Sequence, residues 1–184
     1  MANRKHADSA RKTKRLVFCA ILCALSFVLS MLGTLLGVFD LTGIIFSGLL
    51  VALVMIELSP RWAILVWLVT SALLALFLPD KFVAIEYIVF AGIYPAIKNG
   101  LEKLPKIPAW VLKFVYFNLV LTGLILLATK VQLFMAADTD LSLSWLVYLL
   151  GNVFFLVYDI CMGVYIRFYE FVLRKRLRIN RFIG

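Results

Sequence analysis

The chain has 184 residues, of which 64% are apolar, and its mean hydropathy is +1.03; soluble domains carry roughly 45–50% apolar residues. A soluble domain of this size buries only about 70% of its unfolded surface, so this composition excludes a water-soluble fold, a disordered chain and a nucleic-acid module. The three cysteines, Cys19, Cys23 and Cys161, all lie inside apolar runs, which excludes a disulfide-stapled secreted scaffold.

Six apolar runs, delimited by charges, prolines and glycines, follow in order: Leu16 to Phe39, Leu41 to Ile56, Trp62 to Leu78, Phe82 to Ile97, Ala109 to Thr129 and Trp145 to Ile166. At about 1.5 Å per residue they measure roughly 24 to 36 Å, against a hydrocarbon core of roughly 30 Å. The expected fold is an all-α integral membrane protein with six transmembrane helices in one bundle. Residues 1–15 form a basic cytoplasmic tail, 16–166 the membrane domain and 167–184 a second basic cytoplasmic tail. The first run is too long for a cleaved leader, and no A-x-A site ends it.

The net charge of +9 is concentrated at the two ends. Arg4, Lys5, Arg11, Lys12, Lys14 and Arg15 precede the first run, and Arg174, Lys175, Arg176, Arg178 and Arg181 follow the last. With both termini inside, 17 of the 19 basic residues fall on the inner side and only Lys81 and Lys130 on the outer side. By the positive-inside rule this predicts a multi-pass cell (plasma) membrane protein, N-in and C-in, whose basic tails meet the anionic headgroups of the lipid bilayer.

In the first run Cys19, Cys23, Ser26, Ser30, Gly33 and Gly37 recur at steps of three and four, one stripe of a helix, and Ala20 and Ala24 widen its inner end. Small residues let helix backbones approach closely in lipid. The stripe packs either within the chain or, through Ala20 and Ala24, on a second protein.

Glu86, Lys113 and Asp159 are ionisable residues inside runs, where each costs about 2.5 to 3.5 kcal/mol near the bilayer centre unless partnered. Their positions along the runs put Asp159 and Lys113 about 5 and 9 Å to the inner side of centre and Glu86 about 5 Å to the outer side. Lys113, Asn118 and Asp159 are the candidates for a structural clamp between the fifth and sixth spans. At the outer level, Glu86, Tyr87, Thr122, Tyr148 and Asn152 are the candidate substrate-binding residues, an acid, an amide, hydroxyls and rings suited to a small-molecule pocket. The plainer alternative is a snorkelling Glu86 with interface-belt aromatics at Tyr148 and Trp145. Gly92 and Pro95 make the fourth span easy to bend.

The chain has no P-loop, no H-E-x-x-H, no G-x-S-x-G and no cluster of metal-spaced His or Cys, and its single His lies in the amino-terminal tail. Neither an enzyme nor a cofactor or metal is expected.

Arg15-Leu16 leading into Ala20-x-x-x-Ala24, together with the size and the six runs, resembles the substrate-binding S component of energy-coupling factor (ECF) vitamin transporters. The resemblance implies an uptake subunit that holds a small molecule near the outer face. It also implies docking of Ala20 and Ala24 on a transmembrane coupling subunit, with paired ATPase subunits supplying the energy. The stretches Leu78-Pro79-Asp80-Lys81-Phe82, Leu150-Gly151-Asn152-Val153 and Tyr158-Asp159-Ile160 are similar to features of small Gram-positive membrane proteins with no known activity. The alternative is a membrane scaffold or cell-envelope assembly protein of the MreD-like type, in which spans and basic tails gather partners without solute binding.

Overall fold

The computed structural model describes residues 2–37, 39–134 and 144–174. Its elements are α1 (Ala2–Leu36), α2 (Asp40–Glu57), α3 (Pro60–Phe77), α4 (Lys81–Glu86), α5 (Tyr94–Leu101), α6 (Lys106–Phe134) and α7 (Ser144–Phe168), with π-helical turns at Tyr87–Ala91 and Tyr169–Leu173. No strand occurs among the described residues. Six helical stretches are long and apolar enough to cross a membrane. Helices are the expected answer for such a chain, because in lipid every backbone N–H and C=O must be satisfied within its own segment. Asp138, Asp140 and the basic residues from Lys175 onward lie outside the described residues.

Two elements differ from the apolar runs. Helix α1 is 35 residues long and takes in most of the basic amino-terminal segment, since an alternation of Lys, Arg and Ala favours helix as strongly as the apolar run does. The fourth long apolar stretch is interrupted. Gly92 N–H donates to Tyr87 O at 2.8 Å, five residues back, and Pro95 then removes a backbone donor. At Gly92 an added Cβ would sit 2.5 Å from Trp67 Cδ1, and the freed space lets Trp67 Nε1 donate to Ile88 O at 3.1 Å.

Contacts divide the chain into two compact units, residues 1–97 with 164–184, and 98–163. In the first, α1, α2 and α3 pack pairwise. The small-residue stripe of α1 is what α2 packs on: an added Cβ at Gly33 would stand 2.7 Å from Phe39 O, and one at Gly43 2.8 Å from Leu29 O. Ser47 Oγ completes this contact, 2.7 Å from Ser26 O and 2.7 Å from Ser30 Oγ. Cys19, Leu22 and Cys23 join Val51, Val54, Ala63 and Val66 in one buried cluster. Asp80 caps α4 by accepting from Phe82 N–H at 2.8 Å, and Lys81 Nζ donates to the carbonyls of Ala75 and Leu78 at the end of α3, each favourable at its helix terminus.

In the second unit α6 and the amino-terminal part of α7 run antiparallel. Side chains 113, 117, 118 and 122 meet 159, 155, 152 and 148 in turn, with Phe117 stacked on Phe155 at 4.5 Å between the polar pairs.

Candidate functional site

The inner end of the second unit holds four charged side chains. Lys113 Nζ lies 3.1 Å from Asp159 Oδ2 and 3.1 Å from Glu102 Oε1. Lys98 Nζ pairs with Asp159 Oδ1, donates to the Asp159 carbonyl at 3.0 Å and pairs with Glu102 Oε1 at 3.0 Å. Lys98, Lys113 and Asp159 are almost fully buried, while the Glu102 side chain is 49% exposed. Two cations and two anions close a neutral square, the arrangement a low-dielectric site requires before charges can be held there. Lys113 Nζ also sits 5.2 Å from the Trp110 ring centroid. Burial pushes the Glu102 carboxyl up, but the hydrogen bonds from Lys98 and Lys113 outweigh it and hold its pKa below the ordinary glutamate value.

Lys113 and Asp159 thus meet across α6 and α7, and two further members, Lys98 and Glu102, come from α5 and the residue after it. Asn118 is not part of this square. It forms a reciprocal amide pair with Asn152: Asn118 Nδ2 donates to Asn152 Oδ1 at 2.9 Å, and Asn152 Nδ2 to Asn118 Oδ1 at 3.1 Å. The next step along the helices brings Thr122 Oγ1 to 2.9 Å from Tyr148 Oη. Thr122 Oγ1 also donates to Asn118 O and Asn152 Nδ2 to Tyr148 O, so these four side chains turn their polar groups to each other and to their own helices.

Of the five candidate pocket residues, Thr122, Tyr148 and Asn152 belong to this ladder in the second unit, and Glu86 and Tyr87 to the first. Glu86 ends α4 half-buried, and its electrostatic neighbours are the carboxylates of Asp80 and Asp40. Tyr87 is fully buried in the π-helical turn, its ring against Gly92 and its hydroxyl beside Thr70. Among the described residues no three His, Cys, Asp or Glu side chains are grouped as a metal site would need.

Ala20 and Ala24 lie off the stripe that meets α2. They are exposed, and with Leu16, Cys19 and Cys23 they form one wall of an apolar groove of about 500 Å³. The other wall is the face of α3 from Trp62 to Leu73. Four of the six stripe residues named from the sequence pack inward on α2 or α3, Gly33 approaches the α2 backbone, and Gly37 lies exposed just beyond the helix.

One buried group escaped sequence reasoning altogether. The Glu57 side chain, at the end of α2, is 0% exposed; it accepts from Tyr169 Oη at 2.9 Å, with Arg174 Nε 3.4 Å away. Its place at the end of an apolar run reads in the sequence as a water-facing connection, and no local spacing links it to a tyrosine 112 residues on.

No protein-family model, no curated protein and no solved structure matches the chain. What it does has to be argued from its own residues.

Proposed function

We propose that the chain is a multi-pass subunit of the cell membrane, with both termini cytoplasmic, that works as the solute-binding, S-component-like part of an ECF-type uptake system. The reading assigns it no catalysis. It would capture a small solute near the outer face and rely on a coupling subunit and ATPase subunits for energy. The observation that carries it is the groove between α1 and α3. Helices in lipid bury their small residues to gain van der Waals contact, yet Ala20 and Ala24 stand exposed in a trough that no helix among the described residues covers. A partner helix would find a close-approach surface there. The orientation rests on the 17 basic residues that fall to one side.

Co-purification of the tagged full chain with membrane and ATPase proteins from its native membrane tests the docking. Ala20→Leu with Ala24→Leu should abolish recovery of the ATPase subunits in a chain that still melts cooperatively; full recovery removes the docking. A thermal-shift screen of vitamins and nucleobases tests solute capture, since a ligand at 100 times its Kd raises stability by about 2.7 kcal/mol.

The scaffold reading has its own support in the ladder of α6 and α7. Asn118, Thr122, Tyr148 and Asn152 already bond to one another, which suits a rigid element more than an open receptor. Crosslinking that recovers envelope-synthesis proteins and no ATPase favours that reading.

A further inference from the structure

The α1–α3 groove also has the dimensions of a lipid acyl chain. It runs from Leu16 to Ala24 on α1 and from Trp62 to Leu73 on α3, about 12 and 16 Å at 1.5 Å per residue. That matches one leaflet, about half of a hydrocarbon core of roughly 30 Å. Beyond it the trough is closed: Phe27 of α1 meets Phe77 of α3 edge to face, ring centroids 6.0 Å apart. A single acyl chain spans one leaflet and no more.

The open end is cationic. Arg15 stands four residues before Cys19 and Arg61 four before Leu65, so each continues a lining stripe by one turn. Side chains lean toward the amino terminus of their helix, so both arginines belong to the headgroup end of the groove. Arg61 is exposed, and Arg15 Nε is buried without a hydrogen-bond partner among the described residues. Trp62 lies at the same level, where amphipathic rings favour the interface. A guanidinium fork matches phosphate oxygens bidentately, and two of them favour a lipid with net negative charge over a zwitterionic one.

We infer that the groove is a binding site for one anionic phospholipid of the leaflet at the amino-terminal end of α1, with an acyl chain between α1 and α3 and the phosphate held by Arg15 and Arg61. In the orientation proposed above this is the cytoplasmic leaflet. The inference does not rest on the transport reading, because the isolated chain must fill this trough whatever it later docks against. A partner that uses Ala20 and Ala24 would displace the lipid.

The test uses the full chain in nanodiscs of equal phosphatidylglycerol and phosphatidylcholine, released into mild detergent and weighed by native mass spectrometry. At about 1 kcal/mol per basic residue near the surface, two arginines predict retention of one phosphatidylglycerol with about thirtyfold preference. Arg15→Gln with Arg61→Gln should bring the preference close to one. Ala24→Leu should fill the trough and lose the bound lipid, while Ala72→Leu, exposed on α3 outside the groove, should keep it. Equal retention of the two lipids by the wild-type chain, or a preference that survives the arginine substitutions, overturns the inference; the arginine pair decides alone if Ala24→Leu does not melt cooperatively. A co-purified protein in place of lipid on the wild-type chain also overturns it and leaves the docking reading standing.

Discussion

Asp159→Asn should be among the most damaging substitutions in the second unit. The wild-type carboxylate is almost fully buried and takes ion pairs from both Lys98 and Lys113. The amide carries no charge, so two buried ammonium groups would share only Glu102, whose side chain is half in solvent. Breaking a buried pair by removing one partner costs about 3 to 5 kcal/mol, because the remaining charge stays desolvated. Lys113→Met leaves the Lys98 to Asp159 pair in place and should cost about 1.5 to 3 kcal/mol, the worth of a charged hydrogen bond. Glu102→Gln touches the half-exposed corner and should cost less than about 1 kcal/mol. Replacing Asp159 by Leu and both lysines by Met should recover most of the loss, since apolar groups of similar volume often match a buried ion network. Reversible unfolding in mixed micelles by dodecyl sulfate titration, followed by far-ultraviolet circular dichroism, gives all four values. If Asp159→Asn costs less than about 1 kcal/mol, or Glu102→Gln costs as much as Asp159→Asn, the four groups are not acting as a buried neutral square.

Gly33→Leu should separate α1 from α2 and lower stability by at least about 1 to 3 kcal/mol, because an added Cβ would stand 2.7 Å from a backbone oxygen; Gly100→Ala, with open space around it, should leave the melting temperature nearly unchanged. A double-mutant cycle of Asn118→Ala and Asn152→Ala should show coupling of about 0.6 kcal/mol, the usual worth of a hydrogen bond between membrane helices, and coupling near zero would deny the reciprocal amide pair. Glu102 is expected to make stability depend on pH. Its folded pKa lies below its ordinary value, so its contribution is present above the ordinary glutamate value and is lost as pH falls through the folded one. Melting curves of wild type and Glu102→Gln should therefore converge on acidification, and a constant gap between them would contradict the pairing with Lys98 and Lys113.

The six long apolar helices were legible because hydrophobic runs of bilayer length admit little but helix. Lys113 and Asp159 were legible as a pair because a charge in lipid demands a partner and their depths agree. Lys98 was not, since at the end of an apolar run a lysine reads as an interfacial anchor, and its partner lies 61 residues away. The steps of three and four in α1 marked a close-packing stripe, but periodicity carries no information about which neighbour a stripe meets. It took the structure to separate the residues that α2 covers from Ala20 and Ala24, which border the α3 groove. The interruption at Tyr87–Ala91 was foreshadowed by Gly92 and Pro95, though not its π-helical form, which depends on where Trp67 reaches.

The Glu57 clasp has a consequence for the order in which the protein is made. Tyr169, which donates to Glu57, and Arg174, which pairs with it, are synthesised over a hundred residues after it. Until then α2 ends in a carboxylate that must stay hydrated. The Glu57 end of the first unit therefore takes its final packing only once Tyr169 and Arg174 have been made. A chain broken off after α6 would leave the Glu57 carboxylate without Tyr169 and Arg174.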